Sequence, residues 1–359
     1  MKSFCNFWKN RVKERHLNFS TTIRKGALLL NLGSPDSTEV PDVKKYLEEF
    51  LMDERVLDMP EWKRKLILKL FILPKRPKQS AEAYAKVWTE EGSPLIVTSL
   101  AQQKLVQEDT EIPVFLGMRY GNPSTADIIA EIKKAGITEL LILPLYPHYA
   151  MSSYESAVVK TMEELKKQAP TIKTKLVQPY YKDPKYIHAL WESIKPHYEG
   201  SGAHLMMSFH GIPERHVQKT DPSHAHCLAS KDCCDNCHPA HATCYRHQCM
   251  STAKELMKHA GIDEKDVTIS FQSRLLKAPW LGPYTDHEIE RLAKEGVKNL
   301  KVICPAFITD CLETLEEIAM EGKDEFLKNG GEELELIPCL NTHPLWIQWM
   351  VDKIENWES

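Results

Sequence analysis

Two stretches of this sequence and one cysteine cluster carry residue types whose spacing suits chemistry. His210 follows the apolar run HLMMSF (204–209) and precedes Gly211. An imidazole titrates near neutrality, so it can accept a proton or, when neutral, bind a metal. Downstream, FITDCLETLEE (307–317) opens a predicted helix in which Glu313, Glu317 and Glu321 recur every four residues. Four residues rise about 6 Å, so the three carboxylates would form one stripe roughly 12 Å long. Such a stripe reads as a ladder of hard oxygen ligands that passes hydrated cations inward and protons outward. It also reads as a solvated acidic face whose carboxylates suit the helix macrodipole.

Five of the ten cysteines fall between positions 227 and 244. Cys227, Cys234, Cys237 and Cys244 form a symmetric C-x6-C-x2-C-x6-C, with Cys233 as an alternate to Cys234. Four thiolates from one short loop can close a tetrahedral zinc site or hold an iron–sulfur cluster, and spacing alone favours zinc. His224, His226, His238 and His241 are alternative ligands. No apolar stretch of a secretory signal precedes the cluster, so it reads as a metal site in a reducing compartment rather than a disulfide framework.

These residues need a scaffold. Short apolar runs at 27–32, 113–118, 139–143, 174–178, 204–209, 267–271, 300–304 and 334–337 alternate with amphipathic segments such as 125–135 and 251–260. Runs rich in Val, Ile and Leu are what strands buried on both faces require, and strand–helix alternation implies parallel βαβ units. The expected fold is α/β, with two four-stranded parallel sheets flanked by helices in a chain of 359 residues. We divide it into a basic N-terminal tail (1–25), an N-terminal lobe (26–179), a C-terminal lobe (180–343) and a C-terminal helix packing back on the structure (344–359). Ligands of such sheets bind beyond the carboxyl ends of the strands, and His210 lies at one such end. No G-x-G-x-x-G follows the first strand, which argues against a dinucleotide.

Residues 61–78 (EWKRKLILKLFILPKRPK) mix seven apolar residues, Leu66 to Leu68 and Leu70 to Leu73, with Lys63, Arg64, Lys65, Lys69, Lys75, Arg76 and Lys78. They read either as a core-packing helix with a basic rim or as an apolar lip touching an anionic membrane surface. A net charge of −4 gives no reason to expect nucleic acid. The first 25 residues hold seven Lys or Arg against Glu14 alone, consistent with a bacterial basic tail or with an organellar transit peptide.

At this point the motifs become specific. LLLNLGSP (28–35), EEGSPL (90–95), GMRYGNP (117–123), LPLYPHY (143–149), SFHGIPER (208–215), FQSRLLKAPWLGPYTD (271–286) and CPAFITDCLETLEEIA (304–319) occur in the order of the ferrochelatase family, which the chain resembles from about residue 26 to 345. The resemblance implies two Rossmann-like lobes of the type II chelatase fold. It implies an enzyme, a lyase, that inserts Fe²⁺ into protoporphyrin IX at the end of haem synthesis. It puts the catalytic histidine on His210 and its paired glutamate on Glu313, and continues the iron path through Glu317 and Glu321. It places Asn31, Leu32, Arg119, Tyr120, Tyr146, Trp280 and Phe307 around the porphyrin, where the residues alone would read as core packing. Many members carry a histidine where this chain has Cys311.

Residues 223–244 look inserted relative to the family's compact turn. Some members carry a [2Fe–2S] cluster, so the resemblance shifts the cysteine reading from zinc to that cluster. Met151 stands where animal-type members supply a distant cysteine ligand, so any cluster here must use the insertion. Porphyrin and ferrous iron are the expected partners, and the expected location is cytoplasmic, peripheral on the inner membrane, or organellar if 1–25 is a transit peptide. Competing readings are a coproporphyrin ferrochelatase, another tetrapyrrole chelatase, and a non-catalytic haem or metal carrier.

Overall fold

A computed structural model describes residues 23–274 and 278–358; the expected basic tail lies outside these residues except for positions 23–25. The first lobe runs β1 (Lys25–Asn31), α1 (Val40–Met52), α2 (Glu61–Ile67), α3 (Arg76–Val87), α4 (Pro94–Glu108), β2 (Val114–Met118), α5 (Thr125–Lys134), β3 (Glu139–Pro144), α6 (Ser156–Gln168) and β4 (Lys173–Leu176). The second runs α7 (Pro184–Tyr198), β5 (His204–His210), α8 (Glu214–Lys219), α9 (Tyr245–Ala260), β6 (Val267–Gln272), α10 (Thr285–Lys294), β7 (Asn299–Ile303), α11 (Leu312–Leu315), α12 (Lys323–Lys328), β8 (Glu333–Leu336) and α13 (Pro344–Glu355).

All eight predicted strands form, in two parallel sheets ordered β2-β1-β3-β4 and β6-β5-β7-β8. The two orders are the same, so the lobes repeat one topology. Ala27 to Leu30 and Leu140 are fully buried, as strands covered by helices on both faces must be. The edge strands β4 (KTKL) and β8 (ELEL) carry alternating charges instead, which discourages pairing with another chain. Parallel register aligns the strand ends: Asn31 pairs with Met118 and His210 with Gln272. Chemically useful residues therefore meet at one rim of each sheet.

The lobes are tied by their last helices. After β4 the chain crosses to α7, which packs on α9, and after β8 it crosses to α13, which packs on α4 and α7. Trp346 and Trp349 of α13 stack at 4.9 Å, and Tyr180 of the crossover lies 4.5 Å from Trp349. All three are buried, and one apolar core runs through both lobes.

The 61–78 segment forms α2, a π-helical turn (Leu68–Ile72) and the start of α3. Only Arg64, Leu68 and Pro77 of it are buried, while Trp62, Leu70 and Phe71 are 64%, 55% and 71% exposed. The core-packing alternative therefore does not describe it. Among the described residues, no helix is long and apolar enough to cross a membrane.

Candidate active site

His210 closes β5. Its Nδ1 lies 2.6 Å from the Gly211 carbonyl oxygen. A carbonyl only accepts, so Nδ1 carries a proton, and it is Nε2 that keeps the lone pair in the uncharged tautomer. The backbone around it is equally constrained. The Gly211 N–H donates to the Gln272 carbonyl at 2.7 Å, and the Tyr245 hydroxyl donates to the His210 carbonyl at 2.8 Å. A Cβ on residue 211 would stand 2.7 Å from that Gln272 oxygen, so the glycine permits this close approach. Phe307 flanks the imidazole, with ring centroids 6.0 Å apart.

The acidic ladder is not one α-helix. α11 ends at Leu315, and Glu317–Gly322 form a π-helical turn in which the Glu321 N–H donates to the Glu316 carbonyl. The extra residue in that turn rotates everything after it, so the predicted single stripe is broken. Glu317 turns inward, where the Ser273 N–H donates to it at 2.7 Å and the Ser273 hydroxyl and Gln272 amide also bind it. Glu321 is exposed.

Burial raises the Glu317 pKa, against the hydrogen bonds of Ser273 and the nearby His210 imidazole, and Glu313 adds to the rise. Glu317 is thus within electrostatic reach of both His210 and Glu313. A carboxyl with a raised folded pKa contributes stability that is complete below its unfolded value and lost as pH rises through the folded one. Glu317→Gln is therefore expected to raise the melting temperature at pH 8 by about 2 °C, with no gain at pH 4, while slowing any cation passage. Calorimetry at the two pH values checks this, and an equal shift at both would refute it.

Glu313 is half-buried where α11 meets the first lobe. Leu312 packs against Val43, Ala81 and Tyr84, and Lys86 of α3 pairs with Glu316 at 2.8 Å. Burial and the Glu313 charge together push the Tyr84 phenol and the Cys311 thiol well up, so both stay protonated beside that carboxylate. Cys311 is buried at the N-cap of α11, where its sulfur accepts from the Thr314 N–H.

The other predicted residues divide. Leu32, Trp280 and Phe307 are partly exposed and can face a ligand, and Trp280 bridges to Pro213 beside Gly211. Tyr146 is buried, and its hydroxyl has no partner among the described residues. Asn31 is committed to joining the lobes: its amide donates to Ser99 at 2.9 Å and to Thr309 at 3.3 Å. Arg119 and Tyr120 are committed to Asp53. Arg119 reaches Asp53 at 2.5 Å and Ser156 at 2.7 Å, and the fully buried Tyr120 donates to Asp53 at 2.9 Å.

Gln272 and Ser273 carry a sequence signal because they end a predicted strand. Asp53, Ser156, Tyr84 and Tyr245 carry none: Asp53 caps the end of α1 and Tyr84 lies within α3, with no pattern of their own.

The chain matches the family model described as Ferrochelatase over residues 24–357. It is 50% identical to a ferrochelatase of Opitutus terrae over 336 residues, covering 93% of this chain and 97% of that protein. It is 47% identical to a ferrochelatase of Stutzerimonas stutzeri, covering 90% and 95%. The chain belongs to the ferrochelatase family. Among solved structures, SirB from Bacillus subtilis with Fe3+ shares the fold, with a TM-score of 0.53 and 12% identity over 93% of this chain and 95% of that one. A second, the sirohydrochlorin chelatase SirB from Bacillus subtilis subspecies spizizenii in complex with cobalt, has a TM-score of 0.51 at 11% identity, covering 93% and 94%. The two-sheet architecture is thus that of the type II chelatases.

The cysteine insertion of this ferrochelatase-family chain differs from its predicted ligand set. The Cys244 sulfur accepts from the His247 N–H at 3.4 Å at the start of α9. The Cys233 and Cys234 sulfurs are 4.0 Å apart, and Arg246 donates to Cys234 at 3.2 Å. Cys227, Cys233 and Cys244 are buried and Cys234 half-buried, whereas the predicted ligand Cys237 is exposed. Burial pushes the Cys227 thiol up to about 11, and the Cys244 thiol with burial pushes Cys234 up to about 12. Among the described residues, no three His, Cys, Asp or Glu side chains stand close enough to hold a metal ion. The donors suit a thiolate-bound group in type, but in this arrangement they do not close a site around one.

His226, His238, His241 and His247 pack beside these thiols as two stacked pairs, with centroids 3.8 Å and 3.6 Å apart.

Proposed function

We propose that this chain inserts Fe²⁺ into protoporphyrin IX, releasing two protons and forming protohaem. The observation that carries the reading is His210 at the end of β5, its Nδ1 held by the Gly211 carbonyl and its imidazole within electrostatic reach of Glu317, which also feels Glu313. Metallation breaks two pyrrole N–H bonds and adds a dication. His210 accepts a proton through Nε2. Glu313 and Glu317 take up the other proton and replace water around the entering iron. The raised pKa of Glu317 suits a group that must hold a proton in transit. Leu32, Tyr146, Trp280 and Phe307 form the walls that hold the macrocycle bent, so that its lone pairs face the metal. Glu321, exposed at the far end of the π-helical turn, is the entry end of the iron path.

The exposed Trp62, Leu66, Leu70 and Phe71, interleaved with exposed Lys63, Lys65, Lys69 and Lys75, form a lip for peripheral contact with an anionic membrane surface on the cytoplasmic side. An apolar lip also favours the more apolar protoporphyrin over coproporphyrin as substrate.

A thiolate-bound group, a [2Fe–2S] cluster or zinc, is proposed for the insertion through Cys227, Cys234, Cys237 and Cys244, with Cys233 as an alternate, and binding it requires the loop to draw these thiols closer together than they stand. Such a group would crosslink the loop, and the reaction needs no electron from it.

An anaerobic assay of Fe²⁺ insertion with both porphyrins tests the reading, with the visible spectrum and acid-labile sulfide of the purified protein recorded first. Faster turnover of protoporphyrin supports it. Insertion of iron only into coproporphyrin or a more polar tetrapyrrole, or binding without turnover, would overturn it. A colourless, zinc-containing protein without sulfide would exclude the cluster.

A further inference from the structure

Tyr245 is buried at the first position of α9, directly after Cys244, and its hydroxyl donates to the His210 carbonyl at 2.8 Å. His148 packs edge-on against Tyr245 and against Phe209, with centroids at 5.9 Å and 5.6 Å. The phenol is therefore wedged between the end of β5 and the loop that follows β3.

The next turns of α9 continue the connection. Gln248 accepts from the Tyr149 N–H at 2.7 Å and donates to the His241 and Ala242 carbonyls at 3.2 Å and 3.0 Å. Thr252 lies 2.8 Å from His148 Nε2 and donates to the Tyr181 carbonyl at 2.7 Å. At the foot of the insertion, the Thr243 hydroxyl donates to the Thr220 carbonyl at 2.6 Å, while the Thr220 hydroxyl lies within reach of the His216, Thr243 and Val217 carbonyls at 3.0, 3.1 and 3.2 Å. That clamp closes the loop two residues before Tyr245 and sets where α9 begins.

We infer that Tyr245 is a positioning residue for His210, anchored by the closed foot of the cysteine insertion. It acts through the backbone: its hydroxyl and the Gln272 carbonyl hold the two ends of one peptide, the His210 carbonyl and the Gly211 N–H. Fixing that planar unit sets the position from which the Gly211 carbonyl reaches back to His210 Nδ1, and so aims Nε2. A proton acceptor misaimed by a fraction of an ångström loses rate without losing affinity, because substrates are held by other residues. The insertion thereby has a role that needs no electron transfer: it sets the start of α9. This rests on His210 being the proton acceptor of the proposed reaction.

The test uses the full-length protein. Tyr245→Phe keeps the ring packing and removes the one hydrogen bond. Its kcat for iron insertion is expected to fall about tenfold, with KM for Fe²⁺ and porphyrin and the melting temperature unchanged. In histidine-selective ¹⁵N spectra, the His210 Nδ1–H signal should give way to tautomer exchange. An unchanged kcat with an unchanged His210 spectrum overturns the inference. So does a loss of rate that tracks a lowered melting temperature with the spectrum intact.

Thr243→Val tests the anchor. It should lower kcat severalfold in the wild-type background and add nothing in Tyr245→Phe, since coupled residues are not additive. Full additivity would remove the insertion from the account. If the wild-type protein inserts no iron, the proposed function fails, and the spectra still decide the positioning role.

Discussion

His210→Ala is expected to lower kcat for iron insertion about a thousandfold, the upper part of the range for losing a general base, while leaving most porphyrin affinity in place. The imidazole is half-buried at the end of β5, with Nδ1 held by the Gly211 carbonyl. Removing it deletes Nε2 without disturbing the sheet, because the backbone bonds from Tyr245 and Gly211 do not involve the ring. The flanking Phe307 and Trp280 remain to bind the macrocycle. Anaerobic initial rates together with porphyrin fluorescence titration separate the two quantities. Near-normal turnover in this variant would sink the mechanism. A parallel loss of affinity and rate would instead make His210 a binding residue.

The second large effect falls on Asp53, which touches no substrate in this account. Its carboxylate receives Arg119, Tyr120 and Ser156, and the Arg55 N–H donates to it at 2.7 Å. Arg119 is almost as hidden, with 13% of its side chain exposed against 4% for Asp53. Asp53→Ala leaves a buried guanidinium and a buried phenol without their acceptor, a change expected to cost about 3–5 kcal/mol. Chemical denaturation measures it, and a loss below about 1 kcal/mol would mean that water replaces the carboxylate.

The pH dependence follows. Burial works against ionisation of Asp53, but the hydrogen bonds of Ser156 and the Arg55 N–H, with the Arg119 charge, outweigh it and hold the carboxyl below the usual range. A lowered folded pKa contributes stability present above the unfolded value and lost as pH falls through the folded one. The difference between wild type and Asp53→Ala should therefore be full at pH 7 and shrink below about pH 4. Porphyrin binding should weaken as well, since Arg119 and Tyr120 form part of the same rim.

These two predictions show why some residues could be read early and others not. His210 belongs to SFHGIPER, a contiguous motif at the end of an apolar strand, and both its place and its chemistry are local properties. Asp53 lies 66 residues from Arg119 along the chain and has no periodicity of its own. Its importance exists only once α1 and the end of β2 are brought together.

The sequence by itself determined the eight strands, their parallel pairing and the two lobes, because burial on both faces forces near-continuous apolar runs that survive any local detail. It also determined the family, through motifs lying at the strand ends that converge on one rim.

Tertiary structure decided the rest. Glu313, Glu317 and Glu321 keep α-helical spacing in sequence, yet the chain inserts a π-helical turn there. Glu317 is captured by Ser273 and Gln272 from β6, and the Gly322 backbone packs close to Ile289 of α10. Neither partner can be read from a period of four. Asn31 and Arg119, placed by motif at the porphyrin, spend their polar atoms on Ser99, Thr309, Asp53 and Ser156. In the insertion, four regularly spaced cysteines suggested one ligand set, but Cys233 is buried and Cys237 exposed. A short loop's spacing limits which thiols can meet; only its backbone path selects among them.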